Sequence, residues 1–99
     1  MFKEKIISVV VPAHNEQKLI QKVLQDLPHW IDHIIVIDDH SQDATSDKVH
    51  ERMETDSRIV LIRHEENRGV GAAIVTGYKA SLEKGVDIAV VMAGDAQMD

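Results

Sequence analysis

No cysteine occurs in the 99 residues, which removes disulfides, thiolate metal sites and thiol nucleophiles together and fits a reducing, cytoplasmic setting. Basic charge is also scarce. Eleven Lys and Arg stand against seventeen Asp and Glu, a formal net charge of -6. Nucleic acids are gripped by a basic footprint, so this balance argues against such a partner. An anionic ligand would need local help from backbone N–H groups, helix N-termini or a divalent cation. Aromatic residues are few, and Trp30 and Tyr78 fall away from the strand C-termini, which assigns them to packing rather than to a sugar platform. No apolar stretch approaches the ~20 residues that cross a bilayer. The opening MFKEKIISVVVPA has lysines and an apolar run like a secretory signal. Glu4 and the shortness of the run from Ile6 to Val11 identify a first strand instead. A chain of this length makes one small domain, or part of one.

What is present is an alternation of short β-branched runs with stretches of helical period. Ile6 to Val11, Ile34 to Ile37, Ile59 to Ile62 and Ile88 to Met92 are nearly continuous apolar segments, the pattern of parallel strands covered on both faces. Leu19, Ile20, Val23, Leu24 and Leu27 recur at helical spacing before Pro28. A weaker helix follows Asp43, a candidate N-cap, with Ala44, Val49 and Met53 as its stripe. The third has Val70, Ala73, Ile74, Gly77, Tyr78 and Ser81 on one face and closes at Lys84 and Gly85. The order βαβαβαβ with right-handed crossovers predicts an α/β fold, a Rossmann-like parallel sheet in strand order 3-2-1-4.

That order reverses the winding between the first and fourth strands and opens a crevice at their C-terminal ends. The polar motifs fall there. The first strand runs into Pro12, Ala13, His14, Asn15 and Glu16, the second into Asp38, Asp39 and His40, and the fourth into Asp95. Two strand spacings would set Asp39 and Asp95 roughly 10 Å apart, a span that suits a nucleoside and its first phosphates. Asp39 is then placed to accept hydrogen bonds from a base or ribose, and Asp95 to ligate a cation on a diphosphate.

Each motif also has a plainer meaning. Pro12 before Asn15 and Glu16 is by itself a strand end and helix start. Asp38 and Asp39 before Ser41 and Asp43 equally describe a capped turn, with Asp38 bonding turn amides while Asp39 faces a ligand. The Asn67 to Gly71 stretch lacks the third glycine of a dinucleotide fingerprint and follows the wrong strand. It reads as a tight turn whose glycines let a helix start near the sheet, leaving Arg68 free to approach a phosphate. His29 and His33 lie between Pro28 and a strand, a poor metal geometry, and read as surface residues. A receiver-type acidic cluster is excluded by order, because the acidic pair follows the second strand and the third ends in Arg63 and His64.

Together, VVVPAHNE, IIVIDDHSQDAT, NRGVGAAIVTGYKA and VVMAGDAQMD, in that order and spacing, resemble the N-terminal, nucleotide-binding half of family-2 inverting glycosyltransferases of the GT-A fold, in particular the dolichyl-phosphate and polyprenyl-phosphate sugar transferases. The resemblance runs over the whole chain and implies about half of a catalytic domain, residues 1–99. It implies that Pro12, Ala13, His14, Glu16, Ile37 and Asp39 hold the nucleoside of a UDP- or GDP-linked sugar. It implies that Ala93, Gly94 and Asp95 meet the diphosphate, with Asp95 ligating Mg²⁺ or Mn²⁺. The acceptor would be a polyprenyl phosphate, a saccharide or another group, and the parent protein would work in the cytoplasm or at the cytoplasmic face of a membrane.

One departure stands out. The family usually carries Asp-x-Asp where this chain has Ala93-Gly94-Asp95, so only the second carboxylate is present, with Asp99 a more distant helper through water. Mg²⁺ keeps several waters and tolerates a single protein carboxylate, so a metal-assisted transferase segment and a non-catalytic nucleotide-binding or scaffold module both stand at this stage. No residue of the chain is assigned as catalytic base, and the isolated chain is expected to bind nucleotide weakly and not turn over. A sheet lacking cover beyond its fourth strand would also favour self-association.

Overall fold

The computed structural model describes residues 1–93; Gly94, Asp95 and Asp99 lie outside the described residues. Within them, strands and helices alternate as β1 (Ile7–Ala13), α1 (Ile20–Gln25), β2 (His33–Asp38), α2 (Thr45–Met53), β3 (Ile59–Arg63), α3 (Val70–Glu83) and β4 (Ile88–Val91). All pairings are parallel and the sheet order is β3-β2-β1-β4, as the alternation predicts. The C-terminal ends of all the strands therefore share one edge.

Strand alternation divides the core into two faces. Val9, Val11, Ile34 and Val36 pack with Ile20, Val23 and Leu24 of α1, Leu27 and Val49 of α2. Val10, Ile35 and Ile37 face the other way and meet Ala73 of α3. The first helix is shorter than its apolar spacing predicts: Leu19 is half-exposed at the cap and Leu27 is buried beyond the C-cap Asp26. In α2 the buried positions are Thr45 and Val49, so Thr45 rather than Ala44 completes the stripe. Asp43 acts as a cap one residue ahead of the helix boundary, its Oδ1 accepting the Thr45 N–H at 2.9 Å.

The third helix lies closest to the sheet, and small residues explain how. Ala73, Gly77 and Ser81, four apart, are its buried positions. A Cβ on Gly77 would stand 2.2 Å from Val10 Cγ1, so glycine is required by the close approach. One turn on, the Ser81 and Ser8 hydroxyls bond at 2.7 Å in the buried seam, each supplying the other's partner. Val70 and Tyr78 depart from the expected apolar face. Val70 stands in the first turn and is 66% exposed, while Tyr78 is 41% exposed on the flank of the small-residue stripe. Trp30 is half-exposed and tilts against Phe2 with ring centroids 5.4 Å apart, a packing role.

Strand β1 runs two residues past its expected end, through Pro12 and Ala13, which pair with Ile37 and Asp38 of β2. A proline in a central strand needs an account, and the register supplies one. The Met92 N–H reaches the Val10 carbonyl at 2.9 Å. In a parallel ladder the next bond would run from the amide of residue 12 to the Met92 carbonyl, and Pro12 has no N–H to give. Its ring thus closes the β1–β4 ladder and leaves the β1–β2 side intact, where the Asp39 N–H still bonds the Ala13 carbonyl at 2.9 Å. The crevice opens where that ladder ends.

At the opposite edge, Arg58 ties two connections together. Its guanidinium meets both Asp56 oxygens, at 2.9 and 2.8 Å, and donates to the Pro28 and Ile31 carbonyls at 2.8 and 3.1 Å. The bond from Arg58 holds the Asp56 carboxyl below its ordinary value, against the opposing effect of burial.

Two predictions follow from these contacts. Gly77→Ala, which in an unhindered helix would stabilise, is expected to cost about 1–3 kcal/mol in urea denaturation because Val10 cannot retreat, and Val10→Ala in the same chain should recover part of the loss. Because the Asp56 pKa in the folded protein lies below the unfolded value, its ion pair contributes fully above the ordinary 3.8 and is lost as pH falls through the lowered value. Arg58→Met should therefore reduce stability by about 1–2 kcal/mol at pH 7, with the gap to wild type closing on acidification below that range.

Candidate functional site

The loops that follow β1, β2 and β3 meet at the C-terminal edge of the sheet and are bound to one another mainly by side-chain-to-backbone bonds. The Asn15 N–H donates to Ser41 Oγ and the Gln42 N–H to Asn15 Oδ1, both at 2.8 Å. The Glu16 N–H reaches Thr45 Oγ1 at 2.8 Å, and the Ala44 N–H reaches Gln17 Oε1 at 3.0 Å. Asn15 and His40 turn their loops with φ of 54° and 60°, the left-handed region that non-glycine residues enter only when neighbouring contacts hold them. The rim is thus cross-linked between loops before any ligand arrives.

Pro12, Ala13, His14, Glu16, Asp39 and Ala93 line one cavity of about 200 Å³, completed by Val70 and Ala73 of α3. This brings the expected residues of three separate segments to one place. Small-molecule sites usually enclose about 300–1,000 Å³, so the cavity suits part of a nucleotide rather than a whole sugar donor. Ile37 does not border it. Its side chain is fully buried beneath α3, on the sheet face opposite to α1 and α2, because alternation along β2 turns it into the core. Gly94 and Asp95 lie outside the described residues.

The two aspartates of the second strand's end have different work. Asp38 is fully buried and serves the turn: it accepts the Ser41 N–H at 2.8 Å and the Ser46 hydroxyl, with the Arg63 guanidinium 3.8 Å away. Asp39, only 4% exposed, reaches across to the loop after β3. Its Oδ1 accepts the Arg68 N–H at 2.9 Å and His64 Nδ1–H at 2.8 Å, and its Oδ2 accepts the Gly69 N–H at 2.8 Å. Burial pushes the Asp39 carboxyl upward, and these donors outweigh it, leaving the pKa below the ordinary carboxylate range. The group is therefore an ionised, buried anchor with much of its acceptor capacity already in use.

The glycine turn it holds is real, but its glycines differ. Gly69 has φ of 93° and caps α3, whereas a Cβ on Gly71 would meet open space; the close approach to the sheet belongs to Gly77. Arg68 is anchored through its backbone amide, and its exposed side chain borders a polar depression with Arg63, Glu65 and Glu66. His14 joins the same clasp. Its Nδ1–H donates to the Asp39 carbonyl at 2.8 Å, so Nε2 is left as the acceptor facing the amides of Asn15 and Asn67 at 3.3 and 3.4 Å. His64 and Thr76 were not legible as site residues from the sequence. The one available signal was a histidine directly after a buried strand, beside an acidic pair on its neighbour. His29 is exposed and His33 partly so, consistent with a surface reading.

Among the described residues no group of three or more His, Asp or Glu is arranged to hold a metal. Asp39 is also spent on amides and an imidazole. Asp95, the carboxylate expected to ligate a cation, lies outside the described residues; a carboxylate is a hard oxygen donor of the kind that Mg²⁺ and Mn²⁺ take.

Comparison with known proteins places this arrangement. A UDP-N-acetylglucosamine–dolichyl-phosphate N-acetylglucosaminyltransferase of Methanococcus voltae is 38% identical over 108 residues, covering 95% of this chain and 43% of the relative. The mannosyltransferase PcManGT of Pyrobaculum calidifontis, solved with GDP-Man and Mn²⁺, superimposes with a TM-score of 0.78 at 27% identity, over 95% of this chain and 28% of that one. Glucosyl-3-phosphoglycerate synthase of Mycobacterium tuberculosis, solved with UDP, gives a TM-score of 0.70 at 25% identity, over 93% of this chain and 34% of that one. The chain thus spans less than half the length of these relatives. The family model for glycosyl transferase family 2 matches residues 8–99, and on that match, joined to the parallel sheet and its order, the chain belongs to glycosyl transferase family 2.

Proposed function

We propose that this chain is the nucleotide-sugar-binding part of an inverting glycosyltransferase, with residues 1–99 forming part of a larger catalytic domain. The observation that carries this reading is the single cavity into which β1, β2 and the end of β4 deliver Pro12, His14, Glu16, Asp39 and Ala93. Family membership and the nucleotide-bound relatives support it.

In this reading Pro12 and Ala13 wall the nucleoside, His14 and Glu16 border it, and Asp39 offers its remaining acceptor site to the base or ribose. Gly94 and Asp95 meet the diphosphate, and Asp95 would hold Mg²⁺ or Mn²⁺. When bound, that cation would neutralise the departing diphosphate. The donor is a UDP- or GDP-linked sugar and the acceptor a polyprenyl phosphate, a saccharide or another acceptor. The acceptor oxygen attacks the anomeric carbon from the face opposite the nucleotide, which inverts its configuration. The base that would activate a hydroxyl acceptor is not assigned to any of these 99 residues. The parent protein works in the cytoplasm or at the cytoplasmic face of a membrane.

A second reading rests on Ala93, which stands where the resemblance expects the first carboxylate of Asp-x-Asp: a degenerate transferase that binds nucleotide without turning over. Calorimetric titration with UDP- and GDP-sugars, with and without Mn²⁺, separates the two. For the transferase, we expect weak, Mn²⁺-dependent binding to this chain, its loss in Asp95→Ala, and tighter binding by the longer protein. Metal-independent binding, or none in the longer protein, would favour the scaffold and overturn the transferase assignment.

A further inference from the structure

We propose that His64 is a positioning residue for the nucleotide site: its imidazole braces the Asp39 carboxylate, and through it the Arg68–Gly69 turn, from outside the cavity that these groups shape. The affinity part of this inference rests on the nucleotide-binding reading; the brace itself does not.

The bonds run in one direction across three elements. Thr76 Oγ1, in α3, lies 3.0 Å from the Ala72 carbonyl and 2.8 Å from His64 Nε2, which accepts its hydroxyl proton in the tautomer whose Nδ1–H faces Asp39. His64 Nδ1 donates to Asp39 Oδ1 at 2.8 Å, and the backbone N–H of His64 donates to the Asp38 carbonyl at 2.9 Å. The Asp39 carboxylate in turn accepts the Arg68 and Gly69 amides. With both ring nitrogens engaged, the imidazole cannot swing, and at 6% exposure water has little room to replace it. Among the described residues, His64 is the side chain that donates to the Asp39 carboxylate. Without the ring, the carboxylate is free to rotate about its own side-chain bond, and the two turn amides lose their fixed acceptor. Those amides open α3, where Val70 and Ala73 form one wall of the cavity.

A positional pair of substitutions separates bracing from mere space-filling. Asn carries its amide nitrogen close to where the imidazole Nδ1 stands. Gln is nearer to histidine in size but carries its nitrogen one bond further out, toward Nε2. If His64 only fills space, His64→Gln should be the milder change. If it braces Asp39, His64→Asn should be milder.

The measurements are UDP and GDP affinity in the presence of Mn²⁺ and amide hydrogen exchange at Arg68 and Gly69. We expect His64→Gln to weaken affinity about tenfold, as for a lost charge-assisted hydrogen bond, and to speed exchange at both amides, while His64→Asn stays within about threefold of wild type. An Asn variant impaired as much as Gln, or unchanged exchange at Arg68 and Gly69 in the Gln variant, would overturn the proposal. If neither variant folds, Thr76→Val, at a half-buried position of α3, removes the far end of the brace: faster exchange confined to those amides supports the brace, and unchanged exchange overturns it. Wild-type protein that binds neither nucleotide would overturn the site role of His64 along with the nucleotide reading, while the exchange data still report on the turn.

Discussion

A carboxylate buried without partners costs several kcal/mol, and the contacts that Asp39 gathers to avoid that cost set the geometry of the whole C-terminal edge. The residue sits at the end of β2, yet the amides it holds belong to the turn opening α3, and the imidazole beside it closes β3. Two connections that are distant in sequence, β2–α2 and β3–α3, are thereby registered to one another. The His14 bond to the Asp39 carbonyl adds the loop after β1. Three of the segments that wall the cavity are held together because one ionised group sits among them with its partners in place.

How much of this was legible beforehand depended on range. The strands showed themselves as β-branched runs, and their order followed from the handedness of parallel crossovers, both consequences of local chemistry. The convergence of Pro12, His14, Glu16 and Asp39 followed from that order together with the family likeness. His64 and Thr76 did not show, because their significance is a contact between β2, β3 and α3, and no spacing in the chain encodes it. Ile37 illustrates the limit in the other direction. It neighbours the acidic pair in sequence, but strand alternation sends it into the core, away from the cavity. The small-residue stripe of α3 was visible, yet Val70 and Tyr78 were drawn into the same face although neither is buried there.

Family membership and physical reading meet at the fourth strand. The relatives solved with nucleotide place the fold in a setting of nucleotide sugars, and this chain matches them over its length while spanning a minority of theirs. β4 is the least covered strand described, with Ile88 and Val90 nearly half-exposed on the face that α1 and α2 protect elsewhere. It is also the strand that carries Ala93 to the cavity. The most tightly held part of the cavity thus stands on β1, β2 and β3, while Ala93 is carried by an edge strand with less cover.

The seam between α3 and the sheet has a dynamic corollary. Gly77 seats the helix directly on Val10, Thr76 beside it reaches His64, and the paired Ser8 and Ser81 hydroxyls pin the helix one turn further on. These contacts, one turn apart, resist a piston-like slide of the helix along its own axis. Any axial shift of α3 against the sheet would have to unseat Val10 and break the serine pair together.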